Sequence, residues 1–220
     1  MDGILNIDKP PAWTSHDVVA KLRRLLKIRR IGHTGTLDPA ATGVLLICIG
    51  KATRVAEYLV AREKEYRAVL RLGETTDTQD GTGQVLERRN VGTITKPQLQ
   101  AVINQFTGDI FQIPPMYSAV KINGVPLYKL ARTGQTVPRP ARPVHISHIS
   151  IGDIRGTDVM LDVTCSKGTY LRTLCHDIGE ALSIGGHMHH LTRLRVGSFQ
   201  RNHSLTINTI EQLHQEQRLE

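Results

Sequence analysis

Twelve residues, Gly32 to Gly43 (G-H-T-G-T-L-D-P-A-A-T-G), constrain this chain more than any other stretch. Three glycines, three threonines and a proline in that span exclude a regular helix or strand. Glycine permits positive φ, and Pro39 drives Asp38 into an extended conformation. The result is a shaped loop that presents one carboxylate, Asp38, on an otherwise neutral stretch, with His33 as its other ionisable group. The loop runs straight into the apolar segment Val44 to Ile49, which is too short for most helices and reads as a buried strand. A loop this costly in backbone entropy, anchored to a buried strand, is a place to look for chemistry.

The flanking chain supplies the scaffold. Gly3 to Ile7 reads as a short strand. Ser15 is a candidate helix N-cap with Asp17 near the positive helix end, and Val18, Val19, Leu22, Leu25 and Leu26 recur at helical spacing behind it. Ala52 to Val60 reads as a second amphipathic helix, and Tyr66 to Leu72 alternates as a half-exposed strand with a basic outer face. Thr75 to Gly83, which holds Asp77 and Asp80, is expected to be a turn, because the ligand spacing of a calcium hand is absent. Thr95 caps a helix carrying Leu99, Val102, Ile103 and Phe106. Met116 to Ile122 is expected to be a strand closed by Asn123-Gly124, and Leu127 to Arg132 a short helix. Val144 to Ile154 and Asp158 to Cys165 read as strands. Leu171 to Leu182 reads as a helix, His187 to Phe199 as strand, and Leu205 to Leu213 as a terminal helix. Strands and helices mix without strict βαβ alternation, so the fold class is α+β. Residues 1–200 are expected to form one domain, with 201–220 a short helical tail.

Formal net charge is +8, which favours a polyanionic partner, nucleic acid first. Lys21, Arg23, Arg24 and Lys27 line one helix face leading into the Asp38 loop, as a phosphate-tracking surface would. Cys48, Cys165 and Cys175 are an odd count with no C-x-x-C pair, which suggests buried thiols in a reducing cytoplasm. No apolar run approaches the ~20 residues of a membrane span. Three readings of Asp38 stand side by side: a turn residue bonding its own backbone, a metal ligand, or a nucleophile or base. The metal reading lacks a companion ligand at suitable spacing. The catalytic reading needs a cationic partner, for which Arg54 and Arg172 are candidates. His187, His189 and His190 lack a second ligand motif and are expected to be solvated or RNA-facing rather than zinc-bound.

Several blocks then fall into one order. Asn6-Ile7-Asp8-Lys9-Pro10, the Gly32–Gly43 loop, Lys64-Glu65-Tyr66, Gln112 to Lys121, Cys165 to Leu174 and His190 to Leu194 together resemble the motif series of the TruB family of tRNA pseudouridine synthases. The resemblance implies a pseudouridine synthase fold, with a central mixed, mostly antiparallel β-sheet flanked by helices. It implies isomerisation of the uridine at position 55 of the tRNA T-loop, without a cofactor. Under it Asp38 is the essential carboxylate and Arg172 its ion-pair partner. Tyr66 stacks on the base, Leu191 packs on the uracil and Tyr170 lines the pocket. His33 braces the T-loop where the base has left, and Lys9, Arg54 and Lys64 hold phosphates. A monomeric cytoplasmic enzyme acting on tRNA, with no membrane and no metal, is the expectation. Family members usually carry a further C-terminal RNA-binding domain, which is not expected within these residues.

Overall fold

The computed structural model describes residues 1–216. It divides into two compact units, Met1–Arg67 with Leu191–Glu220, and Ala68–His190. In chain order the elements are β1 (Gly3–Lys9), α1 (Ser15–Leu26), β2 (Ile31–His33), β3 (Thr42–Ile49), α2 (Ala56–Val60) and β4 (Lys64–Leu72). Next come β5 (Glu74–Thr76), β6 (Val85–Arg88), α3 (Lys96–Ile103), β7 (Gly108–Gln112), β8 (Lys121–Ile122), β9 (Val125–Pro126) and α4 (Leu127–Arg132). The series ends with β10 (Arg142–Arg155), β11 (Asp158–Cys165), α5 (Leu171–Ala181), β12 (Gly186–Val196), β13 (Phe199–Gln200) and α6 (Ile207–Gln215).

In the first unit the strand order is β1-β3-β12-β4, with β2 also on β3 and β13 on β12. β1 pairs antiparallel with β3 from Gly3↔Ile49 to Lys9↔Gly43. β12 pairs with β3 in parallel, at Thr192↔Thr42 and Arg193↔Gly43. α1 covers one face. Its Val18, Val19 and Leu22 join Ile7, Leu45, Ile47 and Ile49 in the core, each side chain contributing about 1.5–3 kcal/mol. The helix begins one residue earlier than its sequence suggests. Thr14 is the cap, in a reciprocal capping box with Asp17, and Ser15 turns inward instead. The C-terminal helix forms as α6, and Ile207 and Ile210 lie in the same core. Residues 201–216 therefore belong to the first unit and are not an appended tail; residues 217–220 lie outside the described region.

In the second unit the order is β12-β4-β11-β10-β7. β10 and β11 alternate buried and exposed residues, and Val159, Leu161, Val163 and Cys165 are buried as their spacing predicts. Two expectations change. The Ala52–Val60 helix becomes a 3₁₀ turn over Gly50–Val55 followed by the five-residue α2, with no buried residue in either. Val55 and Val60 are left exposed, and of the apolar stripe Leu59 packs, half-buried, against the small core of Val44, Leu46 and Val196. The strand expected over Met116–Ile122 shrinks to Lys121–Ile122, because the Ser118 and Val120 carbonyls accept from the Tyr128 and Leu127 amides at the start of α4. The mixed, mostly antiparallel sheet with flanking helices is otherwise as expected. All three cysteines are free and buried, and burial pushes the Cys175 thiol up to about 12. Among the described residues no helix is long and apolar enough to cross a membrane.

Candidate active site

In the first unit the Gly32–Gly43 loop is tied down along its whole length. The Thr34 amide donates to the Leu46 carbonyl at 3.0 Å. The Ser15 hydroxyl bonds both backbone groups of Leu37, accepting from its amide at 2.9 Å and donating to its carbonyl at 3.2 Å. Pro39 presents its carbonyl to the Ala12 amide at 2.9 Å. The Asp38 carbonyl closes a turn on the Ala41 amide at 3.0 Å. Asp38 itself is half-buried.

Two cations lie beneath this loop. Lys9 is fully buried, and its ammonium donates to the carbonyls of Pro10, Trp13 and Pro39 at 2.9, 2.6 and 3.2 Å. Burial pushes its pKa down to about 8, the negative charge of Asp38 acts the other way, and Arg193 adds to the lowering. Arg193 is 1% exposed and donates to the carbonyls of Val44, Gly35 and Thr36 at 2.6, 3.1 and 3.5 Å. At Gly43, whose φ is +100°, an added Cβ would overlap the Arg193 carbonyl, so the loop ends against β12 with no room for a side chain.

The other expected residues of this unit are placed as follows. His33 closes β2 opposite Ile47, and its Nδ1 is buried with no hydrogen-bond partner among the described residues. Burial holds its pKa below the usual histidine value, helped by the positive charge of Arg193. Tyr66 is buried on β4. Leu191 is half-buried on β12, next to Thr192, whose hydroxyl meets that of Thr42 at 3.0 Å. Arg54, expected to hold phosphate, is exposed on the 3₁₀ turn. Lys9 and Lys64 do not fit that expectation. Lys64 is 6% exposed and donates to the carbonyls of Val60 and Arg62 at 2.8 and 2.6 Å. Both ammonium groups are occupied with backbone oxygens inside the protein.

The second unit holds Tyr170 and Arg172. Tyr170 caps α5, and both its backbone groups are clamped by the buried Gln112 amide, whose oxygen accepts at 3.0 Å and whose nitrogen donates at 3.3 Å. Arg172 is buried in the first turn of α5. It donates to the Tyr117 carbonyl at 2.7 Å and the Thr78 carbonyl at 3.3 Å, and lies 3.8 Å from Asp80. His187 is buried, with its Nδ1 3.1 Å from the Glu74 carbonyl, which corrects the expectation of a solvated ring. No cluster of three or more His, Cys, Asp or Glu among the described residues is arranged to hold a metal ion.

The sequence does not mark Arg193, Ser15, Gln112 or Asp80 as site residues. Arg193 and Gln112 lie inside the resembling blocks, which was the available signal. Ser15 reads as a cap and Asp80 as a turn residue, and nothing local says otherwise.

Comparison with known proteins identifies the family. Residues 23–171 match a profile described as TruB family pseudouridylate synthase (N terminal domain). Residues 172–220 match the tRNA pseudouridylate synthase B C-terminal domain. The tRNA pseudouridine synthase B of Stutzerimonas stutzeri is 47% identical over 216 residues, covering 98% of this chain and 70% of the relative. That of Heliobacterium modesticaldum is 50% identical over 213 residues, covering 96% and 70%. Among solved structures, a chain of a Cbf5-Nop10-Gar1 complex superposes with a TM-score of 0.78 at 34% identity. That match covers 99% of this chain and 57% of the other, so this chain spans little more than half its length. With profiles spanning most of the sequence and relatives near half identity, the chain belongs to the TruB family of pseudouridylate synthases.

Proposed function

We propose that this chain isomerises the uridine at position 55 of the tRNA T-loop to pseudouridine, with Asp38 as the essential carboxylate. The N-glycosidic bond breaks, the uracil turns and a carbon–carbon bond forms, with no net gain or loss of atoms. A uridine inside a folded loop is inaccessible, so it is flipped into a pocket at a cost of a few kcal/mol. The observation that carries the reading is the bracing of the Asp38 loop by two buried cations, Lys9 and Arg193. An enzyme needs its reacting carboxylate held in one direction before substrate arrives. A turn residue does not.

In this reading Arg172 pairs with Asp38, Tyr66 stacks on the base, Leu191 packs on the uracil and Tyr170 lines the pocket. His33, uncharged at neutral pH, fills the space the base leaves, and Arg54 contacts phosphate. Lys9 and Lys64 serve the scaffold instead. The enzyme acts as a cytoplasmic monomer and uses no cofactor.

The test is incubation with an unmodified tRNA transcript, scored for pseudouridine in the T-loop. Wild type converts the uridine, and Asp38→Asn loses ~10⁴-fold or more in rate while still binding tRNA. Binding without product by the wild type overturns the proposal in favour of an RNA-binding module.

A further inference from the structure

Arg193 and Lys9 are among the largest side chains that are completely enclosed. Enclosing a guanidinium is expensive unless its donors are all used, and a well-packed apolar side chain of similar volume would avoid that cost. The acceptors recorded for Arg193 are three backbone carbonyls, and their positions are informative. Gly35 and Thr36 precede Asp38, and Val44 follows it. One planar fork therefore grips both ends of the loop that carries the carboxylate. The guanidinium donors diverge at fixed angles, so the fork sets the separation of the two ends as well as their attachment. A lysine at this place would supply a point charge and no such spacing.

The neighbouring contacts point the same way. β12 pairs with β3 at two residues, Thr192↔Thr42 and Arg193↔Gly43. The Thr42 and Thr192 hydroxyls meet, and Gly43 leaves space only for the Arg193 backbone. Backbone and side chain of Arg193 thus meet the end of the same loop.

We propose that Arg193 is a positioning residue for the reaction: a clasp that fixes the span of residues 35–44 and thereby the direction of the Asp38 carboxylate, without touching substrate. This rests on the reading of Asp38 as the essential carboxylate. It predicts that charge alone at position 193 is insufficient and that fork geometry is needed.

The experiment uses the full chain with Arg193→Lys, Arg193→Met and Arg193→Ala. Single-turnover pseudouridine formation, tRNA affinity and thermal melting are measured on each. The Lys variant is expected to lose about 30-fold or more in single-turnover rate, since a displacement near 1 Å at a reacting group costs about 10²-fold. Its tRNA affinity stays within about threefold of wild type, because no phosphate contact is removed. Millimolar methylguanidinium is expected to restore part of the rate of the Ala variant, and methylammonium is not. Amide hydrogen exchange on the Lys variant gives a readout independent of catalysis. Faster exchange at the Thr34, Leu37 and Ala41 amides, with α1 unchanged, supports the clasp. Wild-type turnover in the Lys variant, or a loss of affinity equal to the loss of rate, overturns it. So does equally accelerated exchange in the loop and in α1, which marks general destabilisation. Should the Met and Ala variants fail to fold, the charge-conserving Lys variant decides. Should wild type form no pseudouridine, the functional reading fails, and the exchange pattern still decides whether the clasp exists.

Discussion

Two loops in this molecule are built from the same residues and do opposite things. Gly32–Gly43 in the first unit and Thr75–Gly83 in the second are both rich in glycine and threonine and carry aspartate, one in the first and two in the second. In the second, the carboxylates bond donors within the loop or at the residue that follows it. Asp80 Oδ1 accepts from the Thr78 hydroxyl, the Thr82 amide and the Thr82 hydroxyl at 2.8, 2.9 and 2.6 Å. Asp77 Oδ1 accepts from the Gln84 amide at 2.8 Å. In the first, the backbone around Asp38 is held from outside, by Ser15, Lys9 and Arg193. Composition makes both loops. Both backbones are also held from outside, the second by Arg172 through the Thr78 carbonyl, so what marks the second loop is that its carboxylates close its own turns.

The contrast is broken most directly by exchanging outcomes. Asp38→Asn is expected to abolish turnover, and Asp77→Asn to leave it nearly intact; equal losses would mean that local bonding does not separate the two roles. Arg172 is the next step down. It holds the second loop through the Thr78 carbonyl while lying 3.8 Å from Asp80. Arg172→Ala is expected to lower single-turnover rate by ~10²–10³, the scale for removing one preorganised electrostatic group, with tRNA affinity changed far less. Equal loss of rate and affinity would assign Arg172 to RNA binding.

Lys9 sharpens the comparison through pH. Its folded pKa, about 8, lies below the ordinary 10.5. Between these values the unfolded chain holds a proton that the folded chain has released, so this group's contribution to stability rises with pH across that window. The burial cost is greatest below pH 8. Catalysis is expected to move the other way. Deprotonation removes the charge that Asp38 attracts and weakens the donation to the Pro39 carbonyl. The single-turnover rate should therefore fall through an apparent pKa near 8 without a matching fall in melting temperature. Lys9→Arg, which stays charged, should lack that alkaline limb. A limb unchanged in Lys9→Arg would assign it to another group.

The same contrast explains what the sequence reveals. The apolar stripe of α1, the alternation of β11 and the loop itself are legible because burial of one face imposes a period on neighbouring residues. The fate of a long cationic side chain is not. Lys9 finds the Pro39 carbonyl 30 residues away, and Arg193 finds the Gly35 carbonyl 158 residues away. Neither acceptor is coded by a side chain. On composition Lys9, Lys64 and Arg54 are alike, yet only Arg54 is exposed. The division into two units is equally silent, because β4 and β12 each run across it without a break in their strand pattern. The motif blocks did mark Arg193 and Gln112, but a motif records that a residue matters and leaves open what it touches.

The smallest predicted effect bears on the second loop alone. If Asp77 only closes its turn, its loss should appear in stability and not in chemistry. Asp77→Ala removes the acceptor of the Gln84 amide, an exposed bond, and should cost about 1 kcal/mol. Nearby, the Asp77 amide donates to the Gln84 carbonyl at 3.1 Å and the Met188 carbonyl accepts from the Gly81 amide at 3.0 Å. These backbone bonds keep the loop in place without the side chain. Denaturant unfolding should therefore shift its midpoint with unchanged slope, while single-turnover rate stays within about threefold. A rate loss beyond tenfold at unchanged midpoint would show that the second loop, too, presents a carboxylate to the reaction, and the distinction between the two loops would then rest on Asp80 alone.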